Sequence, residues 1–272
     1  MGNPHQVSAG LDAASAEAAS NAITVTVFHW GLHGWGLYVL AGLAISMSAY
    51  RDGQPLTFSS ALTPLLGNRR FSKPAYSIID FLALFGTIFG VATSLGLAVS
   101  AMNAALEPLL GIEFSLFNQI AILTVVCVLG IGSVLSGVSN GIRRLSEMNI
   151  WISLGLLLVI FVLGPTAYLA SLLPVNLLDY MVNVIPMGLW AGSSTADDDW
   201  LSAWTIFYWG WWLAWTPFVS VFIARISRGR TIREFILAVL FVPVLLTVVW
   251  MTVFGGIGIF QELEQTGSVS VA

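Results

Sequence analysis

Six stretches of this chain stay apolar long enough to cross a lipid bilayer. Hydrocarbon about 30 Å thick asks roughly 20 such residues of a helix. The runs that meet this fall at about 22–50, 76–106, 118–138, 150–173, 200–226 and 235–259. Turn chemistry separates them: RDGQP at Arg51–Pro55, GNRRFSKP at Gly67–Pro74, SNGIRR at Ser139–Arg144 and SRGR at Ser227–Arg230. A further stretch at about 175–190 is shorter and mixed, with Pro174 before it and Pro186 inside. It reads as an amphipathic helix lying in the interface rather than a span. Residues 1–21 and 260–272 read as external polar tails. The pattern predicts an all-α membrane protein with six transmembrane helices.

Composition agrees with the pattern. Of 272 residues, 57% are hydrophobic and 9% charged, against about 25% charged in soluble domains. So few charges cannot cover a water-soluble body of this size. One cysteine, Cys127, rules out a disulfide scaffold, and a net charge of −4 argues against nucleic acid as a partner. Membrane lipid is the expected surrounding.

The ten cations set an orientation. Arg51, Arg69, Arg70, Lys73, Arg143, Arg144, Arg225, Arg228, Arg230 and Arg233 all fall after the first, third or fifth helix. The opposite side carries acidic residues, among them Asp12, Glu107, Glu113, Asp179, Asp197–Asp199 and Glu262. The positive-inside rule then makes the basic loops cytoplasmic, in a multi-pass protein of the cell's inner (plasma) membrane with both termini outside. Met1–Asn21 has no basic n-region and no apolar core, so it is not a signal peptide. Either a short N-terminus is translocated, or the chain is the middle of a longer membrane protein; the second reading is adopted here.

Eleven tryptophans are the unusual feature. FHWGLHGWGLY (Phe28–Tyr38) lies in the first helix and WTIFYWGWWLAWTPF (Trp204–Phe218) in the fifth. Membrane tryptophan usually forms a belt at the headgroups. Trp200 and Trp204 suit one. At 1.5 Å per residue, however, Trp35 lies about 20 Å into its helix and Trp212 about 18 Å into its own, near the midplane. Trp30, Trp35, Tyr38, Trp209, Trp211, Trp212 and Trp215 are too deep for a belt. On an ideal helix Trp35 and Tyr38 are about 60° apart, but Trp30 and Trp35 are about 140° apart. Gly31, Gly34 and Gly36 weaken the helix between them. A bend or unwinding there would turn the rings toward one centre, as broken spans do in transporter sites.

No charged residue reaches that depth; Asp80 sits near the cytoplasmic end of its helix. A ligand with a fixed positive charge and no N–H donors would suit rings alone, and quaternary ammonium is that ligand.

At these residues the chain closely resembles the betaine/choline/carnitine transporter family. WTIFYWGWW at Trp204–Trp212, extended through WTPFVSVFIARISRGRTIREF to Phe235, is the most specific stretch. FHWGLHGWGLY and FGTIFGVATSLGL (Phe85–Leu97) match two more. The likeness covers nearly all of the chain beyond about residue 20, corresponding to the fourth to ninth of the family's twelve membrane helices. It implies secondary transport of quaternary-ammonium compatible solutes (glycine betaine, choline, carnitine or similar) by part of a five-plus-five inverted-repeat fold, as a homo-trimer when full length. It implies an aromatic box of Trp30, Trp35, Tyr38 and Trp212, a neighbouring cytoplasm-facing site at Trp215, and pathway-flanking rings at Trp209 and Trp211. Sodium-coupled members hold Na+ with a threonine pair and a phenylalanine. Thr87 and Phe218 match, but Val91 stands where the second threonine belongs, with Thr93 and Ser94 as other hydroxyls. Na+ coupling, proton coupling and antiport all stay open, and no other cofactor is implied.

Other features read more plainly. His29 and His33 have the i,i+4 spacing of metal or haem ligands, which leaves an intramembrane metal or haem protein as an alternative beside a purely structural subunit. The simpler role is packing that steadies a bent segment. Gly86 and Gly90 form a small-residue face for close helix packing, and Cys127 reads as packing. Asp197–Asp199 reads as a solvated loop, and the arginines near 225–233 as orientation signals that also suit anionic lipid. The phosphate-loop pattern GxxxxGK[ST] and paired carboxylates within the spans are absent, so the chain is not read as an enzyme or a nucleotide-driven pump.

Overall fold

The computed structural model describes residues 15–67, 72–135, 143–192 and 194–265. The described residues are helical throughout their regular structure. Seven helical stretches are long and apolar enough to cross a membrane, where the sequence pattern counts six.

The first is interrupted. Helix α1 (Ala16–Trp30) ends at Gly31 and α2 (Leu32–Tyr50) begins directly after it. The Ser15 hydroxyl caps α1, accepting from Ala18 N at 3.1 Å, which carries the helix back into residues assigned above to a polar tail. Met1–Ala14, the rest of that tail, lies outside the described residues, as does 266–272 of the other. Helices α3 (Ser72–Leu110), α4 (Leu116–Leu135) and α5 (Arg143–Leu163) follow. The apolar run beginning at Ile150 continues to Leu173, ten residues past the end of α5 at Leu163.

The largest difference concerns α6 (Thr166–Leu189). The sequence pattern ends a span at Leu173 and starts a separate helix after Pro174. Instead the chain breaks at Gly164–Pro165, where the Thr166 hydroxyl takes the freed Phe161 carbonyl at 2.8 Å, and one helix runs through both Pro174 and Pro186. Each internal proline removes one backbone bond. A continuous buried stripe offsets that loss: Leu169, Asn176, Tyr180 and Val184 fall on one face.

Helix α7 spans Thr195–Ile226 and α8 spans Ile232–Glu264. Both contain π-turns, at Ser202–Ile206 in α7 and at Leu237–Phe241 and Met251–Gly255 in α8. A capping box starts α8: Thr231 accepts from Glu234 N while Glu234 accepts from Thr231 N at 2.8 Å.

Two compact units divide the chain: residues up to Thr87 with Val159 onward, and Ile88–Leu158. In the first, α1 packs Ile23, Val27 and Phe28 against Tyr180 and Val184 of α6 and Val244 and Val248 of α8. Helix α2 packs Tyr38 and Val39 against Trp212 and Ile223 of α7 and Phe235 of α8. The fully buried residues of the two halves thus fall in two different cores, while Trp35 packs on both. At the foot of α2 the Tyr50 hydroxyl donates to the Ala224 carbonyl of α7 at 3.0 Å. Asp80 has a structural partner as well, its carboxylate accepting from Ser59 N at 2.9 Å and Ser59 Oγ at 2.8 Å.

In the second unit the hydrophobic windows of α4 and α5 are unburied. Such apolar faces would be untenable in water and suit acyl chains. Asn103, fully buried, orders the turn between α3 and α4: its amide donates to the carbonyls of Ile112 and Glu113, and its oxygen accepts from Ser115 N at 3.1 Å. Asn103→Ala is expected to cost about 1–3 kcal/mol, because buried backbone groups lose their partner. A fall in thermal midpoint with unchanged ligand affinity is the result to look for.

A candidate aromatic binding site at a helix break

The break at Gly31 creates the site. In an unbroken helix the amides of Leu32 and His33 would bond to the carbonyls of Phe28 and His29. Here Leu32 N–H donates to the Tyr180 hydroxyl at 2.6 Å. The carbonyl of His29 accepts from the Trp212 indole N–H at 2.8 Å, within the buried interior. Two backbone groups freed by one interruption are each taken by a side chain from another helix, Tyr180 from α6 and Trp212 from α7.

Trp212 is the hub. It is 7% exposed, and its ring centroid lies 5.0 Å from Tyr38, 5.7 Å from Trp35 and 6.0 Å from Trp30. Trp35 and Tyr38 meet edge to face at 5.6 Å, the favoured aromatic geometry. The ideal-helix separation of Trp30 and Trp35 is overcome because they stand on either side of the break, and both meet one indole at steep interplanar angles, 72° and 64°. Close approach also needs Gly34: a Cβ there would stand 2.6 Å from Trp212 Cζ2. Gly36 meets nothing comparable, so of the three glycines Gly31 gives the break and Gly34 the space.

Trp215 packs one turn further along α7, on the same cluster and 6.0 Å from Phe218. Trp211 meets Trp30 at 5.4 Å. Trp209 meets Phe28 at 5.4 Å and His33 at 5.6 Å and packs on the cluster of Tyr38 and Trp212 as well. Trp204, half exposed, stacks on Tyr208. Trp30, Trp35, Tyr38 and Trp212 therefore come together, with Trp215 and Trp211 beside them and Trp209 between this cluster and that of Phe28.

Thr87 donates its hydroxyl to the Ala83 carbonyl of its own helix at 2.8 Å, and Phe218 is 55% exposed. Helix α3 does approach α7 here, since a Cβ on Gly86 would come within 4.0 Å of the Ala214 carbonyl.

The two histidines have partners of their own. His29 Nε2 shares a hydrogen bond with Thr205 Oγ1 of the α7 π-turn at 3.0 Å, and its ring stacks on Tyr208 at 4.9 Å. The Phe28 ring lies against both imidazoles, at 5.1 and 4.9 Å. Among the described residues no group of three or more His, Cys, Asp or Glu could hold a metal ion. Ring packing surrounds both, with the hydrogen bond at His29. Sequence reasoning missed Tyr180 and Thr205 as neighbours of this region; the π-turn that presents Thr205 leaves no local signature.

A broken helix lending aromatic rings to a tryptophan-rich partner, within an all-helical frame of membrane-length spans, is the architecture of a membrane protein. The chain belongs to the betaine/carnitine/choline family of transporters, whose model matches residues 1–272. It is 43% identical over 96% of its length to glycine betaine transporter 1 of Vibrio parahaemolyticus, covering 49% of that protein. It is 42% identical over 91% of its length to the high-affinity choline transport protein of Escherichia coli, covering 36% of it. A glycine betaine/proline/choline/ectoine transporter of Vibrio parahaemolyticus is 38% identical over 95% of the chain and 45% covered. The chain thus spans about half or less of the curated relatives it matches. The relatives are transporters rather than enzymes by name.

Proposed function

We propose that this chain forms the cation-binding half of a secondary transporter for quaternary-ammonium compatible solutes, with Trp30, Trp35, Tyr38 and Trp212 as the box. The observation that carries the reading is the convergence of three rings from the broken span on one indole of α7. Tyr38 and Trp212 are buried while Trp30, Trp35 and Trp215 keep partly open faces. The ammonium head would rest against those faces with Trp212 as the floor, and Trp215 would receive it toward the cytoplasm. Trp209 and Trp211 would line its approach.

A desolvated cation–π contact contributes up to about 2 kcal/mol, so three or four rings supply roughly 6–8 kcal/mol gross. Association and ordering costs remove several of these. A micromolar-to-millimolar site results, which suits a protein that must release its cargo. Coupling by Na+ near Thr87 and Phe218 belongs to the same proposal, as do cytoplasmic basic loops. The orientation requires α6 to lie in the interface despite its spanning length: a crossing there would put Arg225–Arg233 on the opposite side from Arg51 and Lys73.

Titration of the protein in nanodiscs tests the reading. Intrinsic tryptophan fluorescence is expected to change saturably with millimolar glycine betaine, choline or carnitine. No change with any of them would remove the reading's main support, and a response to proline or ectoine alone would redirect it to another solute class. Repeating the titration in Na+ and in K+ tests coupling, with tighter binding in Na+ expected.

A further inference from the structure

We infer that Tyr180, on the connecting helix α6, is a positioning residue for the aromatic box, holding the break open from outside the ligand's reach. The inference rests on the box reading proposed above. Tyr180 is fully buried, and its hydroxyl is the acceptor for Leu32 N–H. That amide opens the first turn of α2, the helix that carries Trp35 and Tyr38, and an unmet buried amide there would be costly. With the hydroxyl present, the amide has no need of the Phe28 carbonyl one turn back, and the interruption persists. With the hydroxyl gone, re-forming the helical bond to Phe28 is the nearest way to satisfy the amide. That change would rotate α2 against α1 and withdraw the His29 carbonyl from the Trp212 indole N–H.

Two further observations fit this arrangement. A Cβ at Gly31 would lie 2.8 Å from Tyr180 Cζ and 2.6 Å from the Val27 carbonyl, so the phenol reaches the break because that residue is glycine. One turn before Tyr180, buried Asn176 donates to Thr252 Oγ1 in a π-turn of α8 at 3.0 Å. Helix α6 is therefore anchored on α8 by one residue while it holds the break with the next on the same face.

The test is Tyr180→Phe, which keeps the ring and deletes the hydroxyl, in protein labelled with 5-fluorotryptophan. Choline affinity is expected to fall about tenfold, with a shifted fluorine resonance for Trp212 although Tyr180 bonds to a different residue of the break. In the unsubstituted protein, the Leu32 amide is expected to resist hydrogen exchange, a measurement that needs no variant to fold. Unchanged affinity and an unmoved Trp212 resonance in Tyr180→Phe, or rapid exchange at Leu32, would overturn the inference. Should Trp212→Ala abolish choline binding while Tyr180→Phe does not alter it, only the positioning role fails. Binding that survives both substitutions removes the box and the positioning role together.

Discussion

Gly34→Ala is expected to disable the site through a single methyl group. The added Cβ would stand within van der Waals overlap of the Trp212 indole, which is held in place by its bond to the His29 carbonyl and by packing on three sides. Overpacking of this kind costs about 1–3 kcal/mol when neighbours must shift. The indole is the neighbour with least freedom, so relief comes from separating α2 and α7 or from breaking the hydrogen bond. Either moves Trp35 and Tyr38 away from the hub. Choline affinity measured by calorimetry should fall at least tenfold. Gly36→Ala, on the same turn but with open space around it, should bind as the unsubstituted protein does. Equal affinities in all three would show that the close approach at Gly34 has no part in recognition.

Trp212→Ala carries the second large effect, from two sources. It deletes the ring that Trp30, Trp35 and Tyr38 all approach, worth up to about 2 kcal/mol to a desolvated cation. It also leaves the His29 carbonyl buried without its donor, a further cost of about 1–3 kcal/mol to the fold. Trp212→Phe separates the two, since it retains an aromatic face and loses only the N–H. Binding weakened by about 1–3 kcal/mol in Trp212→Ala, with a smaller loss in Trp212→Phe and a lowered thermal midpoint in both, is the expected pattern. Identical binding in both variants would mean that the hydrogen bond alone matters and the ring face does not.

Much of this was legible in local pattern. Long apolar runs report a bilayer because hydropathy is additive along a helix, and the depth of Trp35 and Trp212 follows from counting rise per residue. Three glycines in six residues signal weakness, and the break falls at the first of them. Which glycine breaks and which makes room could not be read, because that depends on Tyr180 and Trp212 arriving from helices far along the chain. The bounds of helix α6 depart from the sequence pattern for a related reason. Proline marks a boundary only when nothing else favours continuing, and the buried stripe from Leu169 to Val184 favours it here. His29 and His33 show the converse. Their spacing suggests ligands, but spacing carries no information about Thr205 or Phe28, the groups that in fact engage the rings.

The most direct measurement compares choline with its neutral isostere, 3,3-dimethylbutan-1-ol, on the same protein by competition. The two have nearly the same shape and differ in the permanent charge at the branched head. If aromatic faces recognise that charge, choline should bind at least tenfold more tightly, and the gap should shrink in Trp212→Ala. Equal affinity for the charged and uncharged molecules would contradict cation–π recognition outright.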